Sequence, residues 1–166
     1  MTTTVKSTFA AIPNLMNLNM VPFGNAKISG SSVTCQHGPD ECLGNSYEQC
    51  AIHLYPNATQ YFPYYECMEA AGKSMIHGKT SANCAAGAGL DNSKIEACVN
   101  DATLALQLQE QFGAETGAHN YTPWVLINGK LSPSDGDALL AEVCAAYTGT
   151  KPAACTSSKQ RSLADW

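Results

Sequence analysis

The chain has 166 residues, of which 45% are hydrophobic and 14% charged, and a net charge of −5. That length suits one domain with a core of its own, so the chain does not depend on cross-links merely to fold. A mildly acidic balance with no basic run argues against nucleic-acid binding, and no apolar stretch reaches the ~18–20 residues of a membrane span.

Residues 2–9 are rich in Thr and hold Val5, which suits an extended segment, and Pro13 interrupts any helix there. Residues 18–23 alternate and read as a strand closing at Pro22. Gly24-Asn25 and Gly30-Ser31-Ser32 carry turn chemistry. Gly38-Pro39 predicts a helix start, with Asp40 and Glu41 in the first turn and an apolar stripe of Leu43, Tyr47, Cys50, Ala51 and Leu54. Pro56 stops that helix, and a second, short one is expected from Tyr64 to Gly72. Residues 72–91 contain Gly72, Gly78, Gly87 and Gly89 and read as a loop pinned by Cys84.

From Asn92 or Ser93 one long helix is expected to run to Thr116, with Ile95, Cys98, Val99, Ala102, Ala105 and Leu106 on its apolar face. Residues 124–127 form a continuous apolar run that fits a buried strand, and Asn128-Gly129 is hairpin-turn chemistry. Residues 132–135 predict the start of a last helix, whose face is Leu139, Leu140, Val143, Cys144 and Tyr147 and which Gly149 ends. A polar tail, residues 156–166, follows Cys155. Strands and helices that alternate in this way predict a layered α/β domain.

The eight cysteines are Cys35, Cys42, Cys50, Cys67, Cys84, Cys98, Cys144 and Cys155. An even count reads as a disulfide framework in an oxidising compartment. Sequons at Asn57 and Asn120 point the same way, towards glycosylation in the secretory pathway. The first nine residues lack a charged region followed by an apolar one, so no signal peptide is visible.

Residues 35–50 are the densest segment, with three cysteines and a histidine. Cys35, His37, Cys42 and Cys50 could be arranged around zinc, but their spacing lacks the tight C-x₂₋₄-C knuckle of common structural sites. Cys35 could act as a nucleophile with His37 as its base, since i and i+2 share a face on a strand. The plainer reading makes the three cysteines disulfide partners and assigns no metal.

The same segment fits the pattern C-Q-H-G-x₂-E-C-x₂-N-x₄-C through Cys35, Gln36, His37, Gly38, Glu41, Cys42, Asn45 and Cys50. It resembles the signature of the gamma-interferon-inducible lysosomal thiol reductase family. Residues 20–26 and 121–129 also resemble segments of that family, so the likeness covers about residues 18–155. The resemblance implies a thioredoxin-like fold over residues 1–155, with a helical insertion at about 39–91. It implies reduction of protein disulfides without a cofactor, in lysosomal or endosomal compartments or outside the cell. It also implies a cis-proline loop facing the redox centre, at Thr122 and Pro123.

Such chemistry needs a C-x-x-C pair, one thiol to attack the substrate and one to resolve the mixed disulfide. Successive cysteines here are separated by 7, 8, 17, 17, 14, 46 and 11 positions, so no such pair exists in this sequence. Only eight residues lie between segments 2–9 and 18–23, too few for the usual parallel crossover. The first strand and first helix of a thioredoxin-like fold are therefore expected to be incomplete or missing. An N-terminally incomplete reductase explains these gaps together. A paralogue serving as a non-catalytic, disulfide-stapled secreted module is the alternative, and a redox role for another cysteine pair is a third. Cys144–Cys155 and Cys84–Cys98 are the expected disulfides, with Cys35, Cys42, Cys50 and Cys67 sharing two more.

Overall fold

A computed structural model describes residues 2–72 and 77–157. The first elements are α1 (Thr2–Ala11), the strands β1 (Lys27–Ser29) and β2 (Ser32–Thr34), α2 (Pro39–Leu54) and α3 (Ala58–Ala71). There follow α4 (His77–Ala88), α5 (Asn92–Asn100) and α6 (Ala102–Thr116). The strands β3 (Leu126–Ile127) and β4 (Lys130–Leu131) precede α7 (Leu139–Ala146) and α8 (Ala153–Ser157). The described residues are thus mostly helical, and their strands form two separate antiparallel pairs rather than one layered sheet. The backbone divides into two compact units, Asn19–Thr122 and Met1–Leu18 with Pro123–Trp166.

The unit Asn19–Thr122 is a helical block on a small hairpin. Its core gathers Phe23, Tyr47, Cys50, Tyr64, Met68, Cys84, Ile95, Cys98, Leu108 and Phe112. The start of α2 and its stop at Pro56 follow the sequence expectation, with Pro39 in its first turn. The next helix starts earlier than expected, because the Asn57 side chain accepts from the Thr59 N–H and caps it at Ala58. Pro63 then sits inside α3.

Three expectations for this unit are corrected. Residues 18–23 are not a strand; the Pro22 and Phe23 carbonyls accept from Gln49 and Asn45 of α2, so side chains replace a neighbouring strand. Part of the glycine-rich stretch is the helix α4, with Ser81, Cys84 and Ala85 buried at i, i+3 and i+4. Packing and a disulfide on α3 outweigh the low helix propensity of Gly78 and Gly87 there. The single long helix is two. Asp101 adopts an extended conformation, ends α5, and accepts from the Thr103 and Leu104 N–H groups to start α6.

In the other unit, residues 2–9 form the helix α1 instead of an extended segment. Val5, Thr8 and Ile12 are buried, a spacing of three and four that matches a helix face, and this overrides the β preference of Thr and Val. A second small core joins Ile12, Cys144 and Cys155 with Leu15, Met16, Leu140 and Val143. The 124–127 strand shortens to two residues, and Leu126 is 52% exposed rather than buried. The predicted hairpin turn is present, with φ of 50° at Asn128 and 76° at Gly129. The final helix begins at Leu139, later than expected. Ser132 is instead spent on turns: its Oγ donates to Glu142 and accepts from the Gly136 N–H. The helix ends at Ala146, before Gly149. Of the expected polar tail, residues 158–166 lie outside the described residues.

Candidate functional site

The motif residues 35–50 cover the loop after β2 and most of α2. Cys35 is buried and bonded to Cys42, with Cα atoms 5.5 Å apart, so the loop is closed across its base. Inside it Gly38 adopts φ 100° and ψ −170°, a region that only glycine enters at little cost. No side chain caps α2 from Gly38. Glu41 reaches back instead: its Oε2 accepts from the His37 N–H at 2.6 Å and lies 3.2 Å from His37 Nδ1. The bond ties the first turn of α2 back to the residue before its N-cap, through the motif's own histidine and glutamate.

The next turns of α2 hold the segment that precedes the hairpin. Asn45 Nδ2 donates to the Phe23 carbonyl at 3.3 Å, and Gln49 Nε2 to the Pro22 carbonyl at 2.7 Å. Gln49 also donates to Gln109 Oε1 at 3.2 Å, and Gln109 donates to Ser46 Oγ at 3.1 Å. Gln36 Oε1 accepts from Asn25 Nδ2 at 2.7 Å, and Asn25 Oδ1 lies 2.9 Å from His119 Nε2. The motif and residues 20–26, separate in sequence, therefore form one polar latch. Gln49, Gln109 and His119 belong to it and were not singled out by spacing. The visible signal for Gln49 was a polar residue between Tyr47 and Cys50 on a buried helix face.

All eight cysteines are bonded: Cys35–Cys42, Cys50–Cys98, Cys67–Cys84 and Cys144–Cys155. The last is the expected pair. The expected Cys84–Cys98 bond is corrected, because Cys84 on α4 faces Cys67 on α3 and Cys98 on α5 faces Cys50 on α2. Consequently Cys35, Cys42, Cys50 and Cys67 do not share two bonds among themselves. These pairings also leave the Cys35, His37, Cys42 and Cys50 set without thiolates for zinc, and Cys35 without a free sulfur for His37 to activate. Among the described residues no group of three His, Cys, Asp or Glu side chains is placed to hold a metal ion.

The remaining candidate residues lie on the surface. Thr122 and Pro123 are exposed and fall where the two units meet in sequence. Asn57 and Asn120 are exposed, and Asn57 Oδ1 also accepts from Thr59 Oγ1 at 2.8 Å. One buried carboxyl stands out beside the latch. Glu48 is 3% exposed, and burial, then the charge of Glu69 and a hydrogen bond with it, push its pKa well above the usual glutamate value. Burial likewise pushes up the Tyr64 hydroxyl, which bonds Ser81 Oγ at 2.8 Å.

The family model described as Gamma interferon inducible lysosomal thiol reductase (GILT) matches residues 1–88, more than half of the chain. The chain belongs to the GILT family. It is 34% identical over 158 residues to the Gamma-interferon-responsive lysosomal thiol protein of Arabidopsis thaliana, covering 89% of this chain and 64% of the relative. It is 33% identical over 163 residues to the Gamma-interferon-inducible lysosomal thiol reductase of Carassius auratus, covering 89% and 62%. The mouse protein of that name is 33% identical over 159 residues, covering 90% and 62%. The chain thus spans a little under two thirds of the length of these GILT relatives. No helix among its described residues is long and apolar enough to cross a membrane.

Proposed function

We propose that this GILT chain is the disulfide-locked scaffold of a thiol oxidoreductase, serving the reduction of protein disulfides by thiol–disulfide exchange. The observation that carries the reading is the intact motif, folded as one latch, in a chain whose relatives are named thiol reductases. Exchange requires a thiolate that attacks one substrate sulfur and releases the other as a thiolate. A second thiol then displaces the substrate from the mixed disulfide, so two electrons pass from the dithiol to the substrate. Every cysteine of this chain is already in a disulfide and none forms a C-x-x-C, so the chain by itself supplies no attacking sulfur. As it stands it is inactive.

The finer parts of the reading follow from the family. The β3–β4–α7 order suits the closing β-β-α of a thioredoxin-like domain over residues 1–155, with the helical insertion at about 39–91. Thr122 and Pro123, being exposed, suit a cis-proline loop that receives the extended strand of a disulfide-containing protein. The names of the relatives favour a lysosomal or secreted location, and exposed Asn57 and Asn120 suit glycans there. The complete cysteine pairing also favours the second reading, a non-catalytic secreted module that binds rather than reduces.

Insulin reduction at acidic pH tests the proposal. The chain should show no turnover above the background of the small-molecule thiol supplied. Turnover comparable to that of a GILT protein carrying C-x-x-C would overturn it.

A further inference from the structure

The four disulfides do not occupy equivalent places. Cys50, Cys84 and Cys98 lie in the core of the helical unit, and Cys144 and Cys155 lie in the small core of the other unit. The bonds Cys50–Cys98, Cys67–Cys84 and Cys144–Cys155 therefore each have at least one cysteine in an apolar core. Cys35 and Cys42 belong to neither core, so theirs is the bond with both ends outside. It also closes the shortest loop, a sequence separation of 7 against 11, 17 and 48. Within that loop Gln36, His37, Pro39 and Asp40 are exposed, and Cys42 at its end is half-buried.

These differences bear on exchange. A thiolate has to reach a disulfide sulfur to attack it, and core packing blocks that approach. What holds the two sulfurs together once the bond is open matters as well. The other three bonds join packed helices, α2 to α5, α3 to α4 and α7 to α8, whose contact brings the thiols back together. Cys35 lies in a loop instead, drawn towards α2 by the turn at Gly38 and by Glu41 accepting from the His37 N–H. The short closure adds that the fold loses least when this bond opens, because the loss grows with the loop that a bond closes.

We propose that Cys35–Cys42 is a redox switch for the latch: a dithiol opens this bond first, and its opening frees Asn25 and the β1–β2 hairpin from the motif loop. One thiolate of the dithiol bonds to a sulfur of the pair and expels the other as a thiolate. The second thiolate of the reductant then displaces the cysteine that carries the mixed disulfide. The dithiol ends as a disulfide, and the chain takes up its two electrons and two protons as two thiols. The coupling to the latch is through Gln36, which follows Cys35 and accepts from Asn25, itself 2.9 Å from His119. A loop released at Cys35 no longer holds Gln36 against Asn25. Asn45 and Gln49, on α2, keep their bonds to Phe23 and Pro22, so the latch loosens at one end only. The switch makes the chain a target of a dithiol and not a source of one. It does not depend on the chain being a reductase, and it holds equally for a binding module.

The test is stepwise reduction of the native, disulfide-bonded chain with limiting dithiothreitol. New thiols would be trapped by an alkylating reagent and mapped by mass spectrometry. The first two adducts should fall on Cys35 and Cys42, with the other cysteines still bonded. Amide hydrogen exchange of that form should then be faster over residues 25–38 and unchanged in α3, α4 and α7. A double variant, Cys35→Ser with Cys42→Ser, should show the same faster exchange without any reductant. First adducts on another pair, or spread over all four, would overturn the order of opening. Reduction at Cys35 and Cys42 with no faster exchange over residues 25–38 would overturn the switch. If the double variant fails to fold, the reduced form of the unmodified chain decides.

Discussion

Gly38 shows how a single residue type fixes the candidate site. It holds φ 100° at the start of α2 with open space around it, so an added methyl meets no neighbour and the cost lies in the backbone alone. Gly38→Ala should lower stability by about 1–3 kcal/mol, read from denaturant unfolding, without changing the pattern of disulfides. Gln49 acts through bonding rather than conformation. It is fully buried and donates to the Pro22 carbonyl and to Gln109. Gln49→Leu should cost about 1–3 kcal/mol, because it leaves the Pro22 carbonyl buried without that donor. The residues of the motif were legible in sequence, but their work was not. Nothing in a spacing says that Gln36 meets Asn25 or that Asn45 meets Phe23, since both bonds depend on how the chain returns.

At the scale of elements, capping residues decided more than composition. Asp101 divides a stretch whose apolar periodicity looks continuous, and its carboxylate accepts from two N–H groups of α6. Asp101→Ala should cost about 0.5–2 kcal/mol and lower helicity measured by circular dichroism, with α6 fraying at its start. The helix at Pro39 and the Asn128-Gly129 turn were legible because local chemistry dictates both. The helix α1 is masked in sequence by β-branched residues that suggest a strand, whereas the buried positions Val5, Thr8 and Ile12 carry helical spacing. The helix α4 was hidden by its glycines, and what offsets them, Cys84 bonded to Cys67 and packing on α3, is long-range information.

On the scale of the whole molecule, the disulfides set a hierarchy. Cys50–Cys98 closes a separation of 48 residues, against 7 for Cys35–Cys42. The chain-entropy relation makes the long closure worth about 4 kcal/mol and the short one about 2 kcal/mol. Replacing Cys50 and Cys98 together by Ala should therefore lower stability more than replacing Cys35 and Cys42, as read by unfolding in denaturant. The even cysteine count foretold a framework, but its connectivity depends on which helices pack together. The bond from α2 to α5 and the bond from α3 to α4 are results of the bundle and not of spacing. Together the four disulfides leave no sulfur free for exchange.

That claim is most directly tested by counting reactive thiols. Chain produced in an oxidising compartment would be denatured without reductant, treated with an alkylating reagent and weighed by mass spectrometry. The account predicts an unmodified mass, with every cysteine in a disulfide. A product carrying two adducts would contradict it, because it would give this GILT chain the free pair that reduction chemistry requires.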